Sequence, residues 1–137
     1  MSDIPVSIFS KLYEKDSLRN MDNGFEVLFR NRLAPTTLIG VGPLSIDGER
    51  FAGDNVSVQF ERPNEGHSRP PTPIVRNTDE IGEKKPVLFG VNTVARIAVS
   101  GHQLNPGPHR VALALRTKEV GDITVIADDE IVAENAV

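Results

Sequence analysis

Apolar and polar residues alternate with a period of two along much of this chain. In Asn55-Val56-Ser57-Val58-Gln59-Phe60-Glu61, Val56, Val58 and Phe60 fall on one face and the polar residues on the other. Val94–Val99 and Val111–Arg116 repeat the pattern, and Phe25, Val27 and Phe29 alternate within Phe25–Arg30. Successive side chains of a strand point to opposite faces, so each run has one face to bury. Turn residues punctuate the runs. Asp22-Asn23-Gly24 precedes the first, Asp47-Gly48 is the strongest hairpin signal, Gly53-Asp54 turns into Val56–Phe60, and Asn105-Pro106-Gly107-Pro108 is a tight turn. Leu33–Gly42 reads as a strand interrupted by a bend, and Leu44-Ser45-Ile46 runs into Asp47-Gly48 with Arg50-Phe51-Ala52 as its return. Val87-Leu88-Phe89 and Ile123–Ile126 add further short strands, the latter set off by Gly121-Asp122. Residues 4–20 fit either a short helix or an extended arm. The pattern predicts an all-β fold, an antiparallel two-sheet β-sandwich of jelly-roll-like type with seven or eight strands.

One stretch breaks the pattern. Residues 62–85 carry four prolines and many polar groups without strand periodicity. The expectation is a single β-sandwich domain over residues 1–137 with a long Pro-rich loop at about 62–85, a segment of a kind that often serves function. The acidic end from Asp128 onward is expected to fray.

The 137 residues suit one domain large enough to bury its own core. Cysteine is absent, which excludes disulfides, thiol catalysis and zinc–thiolate sites. The formal net charge is -4 and no basic stripe is present, so nucleic acid is not an expected partner. There is no signal-like start and no apolar run of membrane length, so no membrane association is expected and a cytoplasmic location is.

The catalytic inventory is thin. His67, His102 and His109 form no His-x-His or His-x-x-x-His pair, so no local metal fingerprint exists. His109 is expected to start a strand with its ring bonded to a turn carbonyl. Ser45, Ser57 and Ser100 lack a nucleophile elbow, and Gly40-Val41-Gly42 leads into no helix that could cradle phosphate. With no Trp and a single Tyr, aromatic platforms for sugar are missing. Arg30, Arg32, Arg69, Arg76 and Arg96 are candidates for pairing with carboxylates. Arg96 sits between Val94 and Ala98 on a face that reads as apolar; an inward Arg there needs a partner, and a solvent-facing or edge position is the favoured expectation. No catalytic residue and no metal ligand are therefore assigned to this chain.

Taken in order, several motifs resemble the small (beta) subunit of bacterial C-glycoside deglycosidases. They are Asn23-Gly24-Phe25 opening a strand to Arg30, Leu44-Ser45-Ile46-Asp47-Gly48-Glu49, Val56–Phe60, and Leu104-Asn105-Pro106-Gly107-Pro108-His109-Arg110-Val111. The likeness spans roughly residues 18–127. It departs at Arg32-Leu33-Ala34-Pro35, where many relatives show an aromatic-Arg-Gly step. The resemblance implies a complex with a larger alpha subunit, a sugar isomerase/epimerase-like barrel holding a divalent metal, Mn2+ being the expected ion. Such complexes cleave the carbon–carbon bond between a 3-oxo-glucosyl group and a flavonoid-type aglycone by elimination. On this reading the present chain binds no cofactor. Its 62–85 loop, with His67, Arg69 and Arg76, reaches the partner or the 3-oxo-C-glycoside substrate. The alternatives are a non-catalytic β-sandwich binding or assembly module unrelated to sugars, and a free-standing lyase or isomerase.

Overall fold

The computed structural model describes residues 9–62 and 72–132. It is a two-sheet antiparallel β-sandwich. One sheet takes the order β1-β2-β8-β5-β6: Arg19–Met21, Gly24–Arg30, Val94–Ser100, Val56–Glu61 and Ile74–Asn77. The second runs β10-β9-β3-β4: Gly121–Ile131, Gly107–Thr117, Thr36–Ile46 and Glu49–Phe51. β7 (Val87–Phe89) shares the β3 edge with β4. Among the described residues no helix is long and apolar enough to cross a membrane.

Alternation builds the core as the sequence predicts. Phe25, Val27 and Phe29 of β2, Val56, Val58 and Phe60 of β5, and Ala95, Ile97 and Val99 of β8 are buried. They meet Leu38, Leu44, Val111, Leu113 and Val125 of the facing sheet in one apolar cluster. Phe25 contacts Phe51, and Phe60 contacts Phe89, edge to face, at centroid distances of 5.2 and 5.9 Å. These two contacts tie β2 and β5 of the first sheet to the β4/β7 edge of the second. Gly24 permits a close approach, because a Cβ there would lie 1.8 Å from the Val99 carbonyl oxygen.

Four expectations need correction. Leu33–Gly42 and Leu44–Ile46 are not separate elements. β3 runs through both, and register shifts at Leu38/Gly40 and Val41/Leu44, with a cis Gly42-Pro43 bond, absorb the irregularity. Residues 72–85 are not structureless: β6 pairs with β5, a 3-10 turn follows at Thr78–Glu80 under an Asn77 capping box, and Ile81 is buried. Asp128 does not begin a frayed end, since β10 continues to Ile131 and pairs with β9 over its whole length. Arg96 lies on the outer face, the solvent-facing position favoured above, because Ala95, Ile97 and Val99 take the core side. The strands number ten among the described residues, the short edge elements β1 and β6 being unforeseen. The Asp47-Gly48 hairpin forms as expected, with positive φ at both residues. The ambiguous N-terminal segment holds a 3-10 turn, Ser10–Leu12, and then Tyr13 bridges Phe29.

Candidate functional site

The outer face of the first sheet carries the densest set of charges. Strand alternation turns Glu26 of β2, Arg96 of β8 and Gln59 and Glu61 of β5 outward together, with Leu28↔Arg96↔Gln59 forming one cross-strand row. Arg96 lies diagonally between two carboxylates. Its guanidinium bonds Glu26 Oε2, and its Nε donates to Glu61 Oε1 at 3.1 Å. Arg19, on the neighbouring edge strand, reaches Glu26 Oε1 at 3.3 Å, and Gln59 donates to Glu61 at 3.1 Å. The Glu26 side chain is only 3% exposed. A carboxylate this enclosed needs paired charge, and two arginines supply it. Burial alone would lower the Arg96 pKa. The Glu61 hydrogen bond and the Glu26 and Glu61 charges outweigh it, so the group is held more firmly protonated than usual. Beside this network, Arg30 and Arg32 converge on Glu14 at 3.1 and 2.9 Å.

A second polar cluster lies at one end of the other sheet. His109, in the first turn of β9, places Nδ1 2.6 Å from Asp47 Oδ2 and Nε2 2.7 Å from the Asn105 carbonyl oxygen. A carbonyl oxygen only accepts, and so does an ionised carboxylate, so both ring nitrogens carry hydrogen in this arrangement. Burial would lower the His109 pKa. The Asn105 carbonyl and the Asp47 carboxylate prevail and raise it. Asp47 is held below the ordinary carboxylate range by the backbone N–H of Arg110, with a further contribution from His109. The expected strand-starting role of His109, ring on a turn carbonyl, is what the structure contains.

A third tie closes the side of the sandwich. The Tyr13 hydroxyl donates to Asp129 Oδ2 at 2.5 Å, and the Leu18 N–H donates to the same oxygen at 3.2 Å. Burial, and then the neighbouring carboxylate, push the phenol pKa up, so it stays a donor. Beside this tie a cleft of about 940 Å³ opens between β1 and the end of β10, lined by Leu18, Arg19, Asn20, Gln103, Glu130 and Ile131 among others. Its amides are already engaged: Asn20 bonds both backbone groups of Leu104, and Gln103 bonds the Met21 carbonyl.

Of the residues singled out for the partner or substrate loop, His67 and Arg69 lie outside the described residues. Arg76 is an exposed residue of β6. It pairs across the strand with Val58, and so stands on the opposite face of the sheet from Arg96. Its guanidinium donates to the carbonyl of its own neighbour, Val75. Among the described residues no group of three or more His, Cys, Asp or Glu is placed to hold a metal ion.

These arrangements bind strands to strands. Each carboxylate of the Arg96 network accepts from a neighbouring cation. Sequence reasoning named Arg96 but missed Glu26, Glu61, Glu14, Tyr13 and Asp129. The signal for Glu26 and Glu61 was available: each is the polar position next to a buried Phe of the same strand. Pairing Glu26 with Arg96 required the order of strands.

No curated protein matches this chain. A solved structure, described as a family 123 glycoside hydrolase from Clostridium perfringens that hydrolyses glycolipid glycans, overlaps 79% of this chain at 17% identity and a TM-score of 0.33. The overlap spans 20% of that chain, so the present sequence covers about a fifth of its length. Residues 8–132 match the family model described as "Hydroxymethylglutaryl-CoA reductase, N-terminal domain". The likeness to C-glycoside deglycosidase small subunits rests on the sequence motifs alone, whereas the match over residues 8–132 spans nearly the whole sandwich, and the chain belongs to the family that this description names.

Proposed function

We propose that this chain is an accessory β-sandwich that acts beside a separate catalytic protein, as the small subunit of a C-glycoside deglycosidase. The observation that carries the reading is the ordered set of motifs, Asn23-Gly24-Phe25, Asp47-Gly48-Glu49 and Pro106-Gly107-Pro108-His109, set on one sandwich whose charged clusters pair internally. On this reading a metal held by the partner barrel would supply a Lewis acid for the keto oxygen of a 3-oxo-glucosyl group. A base would take the acidified C–H proton, the sugar–aglycone C–C bond would break as a C=C bond forms in the sugar, and the departing aglycone carbon would take up a proton. The sandwich stabilises that partner and shapes the entrance to its site. His67 and Arg69 of the loop and Arg76 of β6 remain the proposed contact residues.

A second reading is favoured by the match over residues 8–132. The family's description names the N-terminal domain of a reductase, so the sandwich could instead accompany the catalytic part of a hydroxymethylglutaryl-CoA reductase. The two readings share an accessory role and differ in partner.

The test is co-expression with a sugar isomerase/epimerase-like barrel in the presence of Mn2+, followed by size-exclusion chromatography and an assay for aglycone release from a 3-oxo-C-glucoside. A stable complex whose activity needs both chains supports the first reading. Failure to associate with the barrel, together with co-elution with a reductase catalytic chain, replaces it with the second. Shortening the loop by residues 64–71 leaves β6 in place and is expected to weaken the complex or raise KM. A fully active deletion rejects the loop's role.

A further inference from the structure

The edges of the two sheets are unequal. β1, β4 and β7 have three residues each and β6 has four, and short edge strands offer a partner little to pair with. β10 has eleven residues, keeps unbroken register with β9 throughout, and contains neither proline nor lysine. Among the described residues, no backbone-to-backbone bond joins it to anything but β9. A long, regular edge of this kind is a template for another strand.

The sequence of β10 indicates which strand fits. In a two-fold antiparallel pairing centred on Thr124, Thr124 meets itself. Ile123 then stands opposite Val125 of the second copy on the core side, and Asp122 stands opposite Ile126 on the outer side. Thr–Thr and β-branched pairs are favourable cross-strand neighbours. Centring on Val125 would instead set Asp122 directly against Asp128, a like-charge pair. The charges at hand do not oppose the Thr124 register. Asp122 is held by Arg116 at 3.3 Å and Asp128 by Arg110 at 3.0 Å, both from β9 of the same chain.

We propose that two copies of this chain associate through β10, edge to edge about a two-fold axis at Thr124, joining their second sheets into one continuous sheet. The interface is isologous, so the association closes at a dimer. This does not rest on either partner assignment above.

The chain has no cysteine, so single introduced thiols report the geometry cleanly. In the full-length protein, Thr124→Cys places two thiols on directly opposed residues. Their Cα separation of roughly 4.5–5.5 Å suits a disulfide. Asp122→Cys and Ile126→Cys each fail to meet themselves but meet one another when the two variants are mixed. Sedimentation of the unmodified protein is expected to give twice the 14.9 kDa of one chain, shifting to the monomer on dilution. Under mild oxidation Thr124→Cys is expected to cross-link about tenfold or more faster than Arg76→Cys on the other sheet, because pairing raises the local thiol concentration to the order of millimolar. The mixed pair should cross-link faster than either of its members alone. A monomer at every concentration overturns the proposal, as does equal cross-linking at positions 124 and 76. A dimer in which Ile126→Cys alone is fastest overturns the register.

Discussion

The Arg96 network and the His109 clasp perform the same task with different chemistry. Each uses a cation to hold carboxylate and backbone groups from separate parts of the chain. Arg96 sits on a central strand, and its partner Glu26 is almost wholly enclosed. His109 sits near a strand end, with its partner Asp47 half exposed at 51%. Guanidinium stays protonated at any accessible pH, so rising pH leaves the first tie intact. Imidazolium gives up its proton as pH rises through its pKa, so the second is conditional. The difference teaches that position in the sheet sets the energy of a charged tie, and the identity of the cation sets its upper pH limit.

The largest effect is expected from removing Arg96. Arg96→Met leaves the enclosed Glu26 carboxylate with only the exposed Arg19, and is expected to cost about 3 kcal/mol in chemical denaturation. Adding Glu26→Leu to that variant should recover a large part of the loss, because the stranded charge goes with it. If the single variant is neutral, the network does not stabilise the sheet. Tyr13→Phe is the next test, since it strips one donor from the buried Asp129 while Leu18 and Glu130 N–H groups remain. A cost of about 2 kcal/mol is expected for a hydrogen bond to a charged acceptor.

The pH test separates the two ties most sharply. The His109 pKa is raised on folding, so its contribution is fully present below the ordinary imidazole value of 6.5 and is lost as pH rises through the elevated one. The Asp47 pKa is lowered, so its contribution is present above 3.8 and is lost as pH falls through the depressed value. The clasp is therefore strongest between these limits. The denaturation midpoint should fall as pH rises through the elevated His109 value, and His109→Gln should flatten that slope while leaving the Arg96→Met penalty unchanged. An identical pH profile in His109→Gln would remove the clasp from the account. The smallest effect belongs to Arg110→Ala. Its ion pair with Asp128 is exposed on both sides, at 69% and 72%, and no measurable change in Tm is expected.

What could be read from the sequence follows from how burial imprints itself on composition. β2, β5, β8 and the middle of β9 have one face in the core, so their apolar positions recur every second residue. Asp47-Gly48 was equally plain, since both residues tolerate the positive φ its turn demands. β1 and β6 left little trace. They are short edge strands, and partial exposure of both faces relaxes the demand for alternation. β3 looked like two elements because Gly40, Gly42 and Pro43 interrupt its pattern where the bulges fall. In β8 both faces are apolar apart from Arg96, so its inward side could not be chosen from alternation alone. β10 looked like a tail because three consecutive acids close it, although Asp129 is buried against Tyr13.

The sequence by itself determined that this chain would be an antiparallel sandwich, with its turns and most of its core residues in place. The period of side-chain direction along a strand is local and survives without any knowledge of neighbours. Only the tertiary structure decided which charges meet. The Glu26–Arg96 pair is 70 residues apart in the chain, Tyr13–Asp129 is 116 and Asp47–His109 is 62. Such contacts depend on strand order and register, which no local pattern encodes.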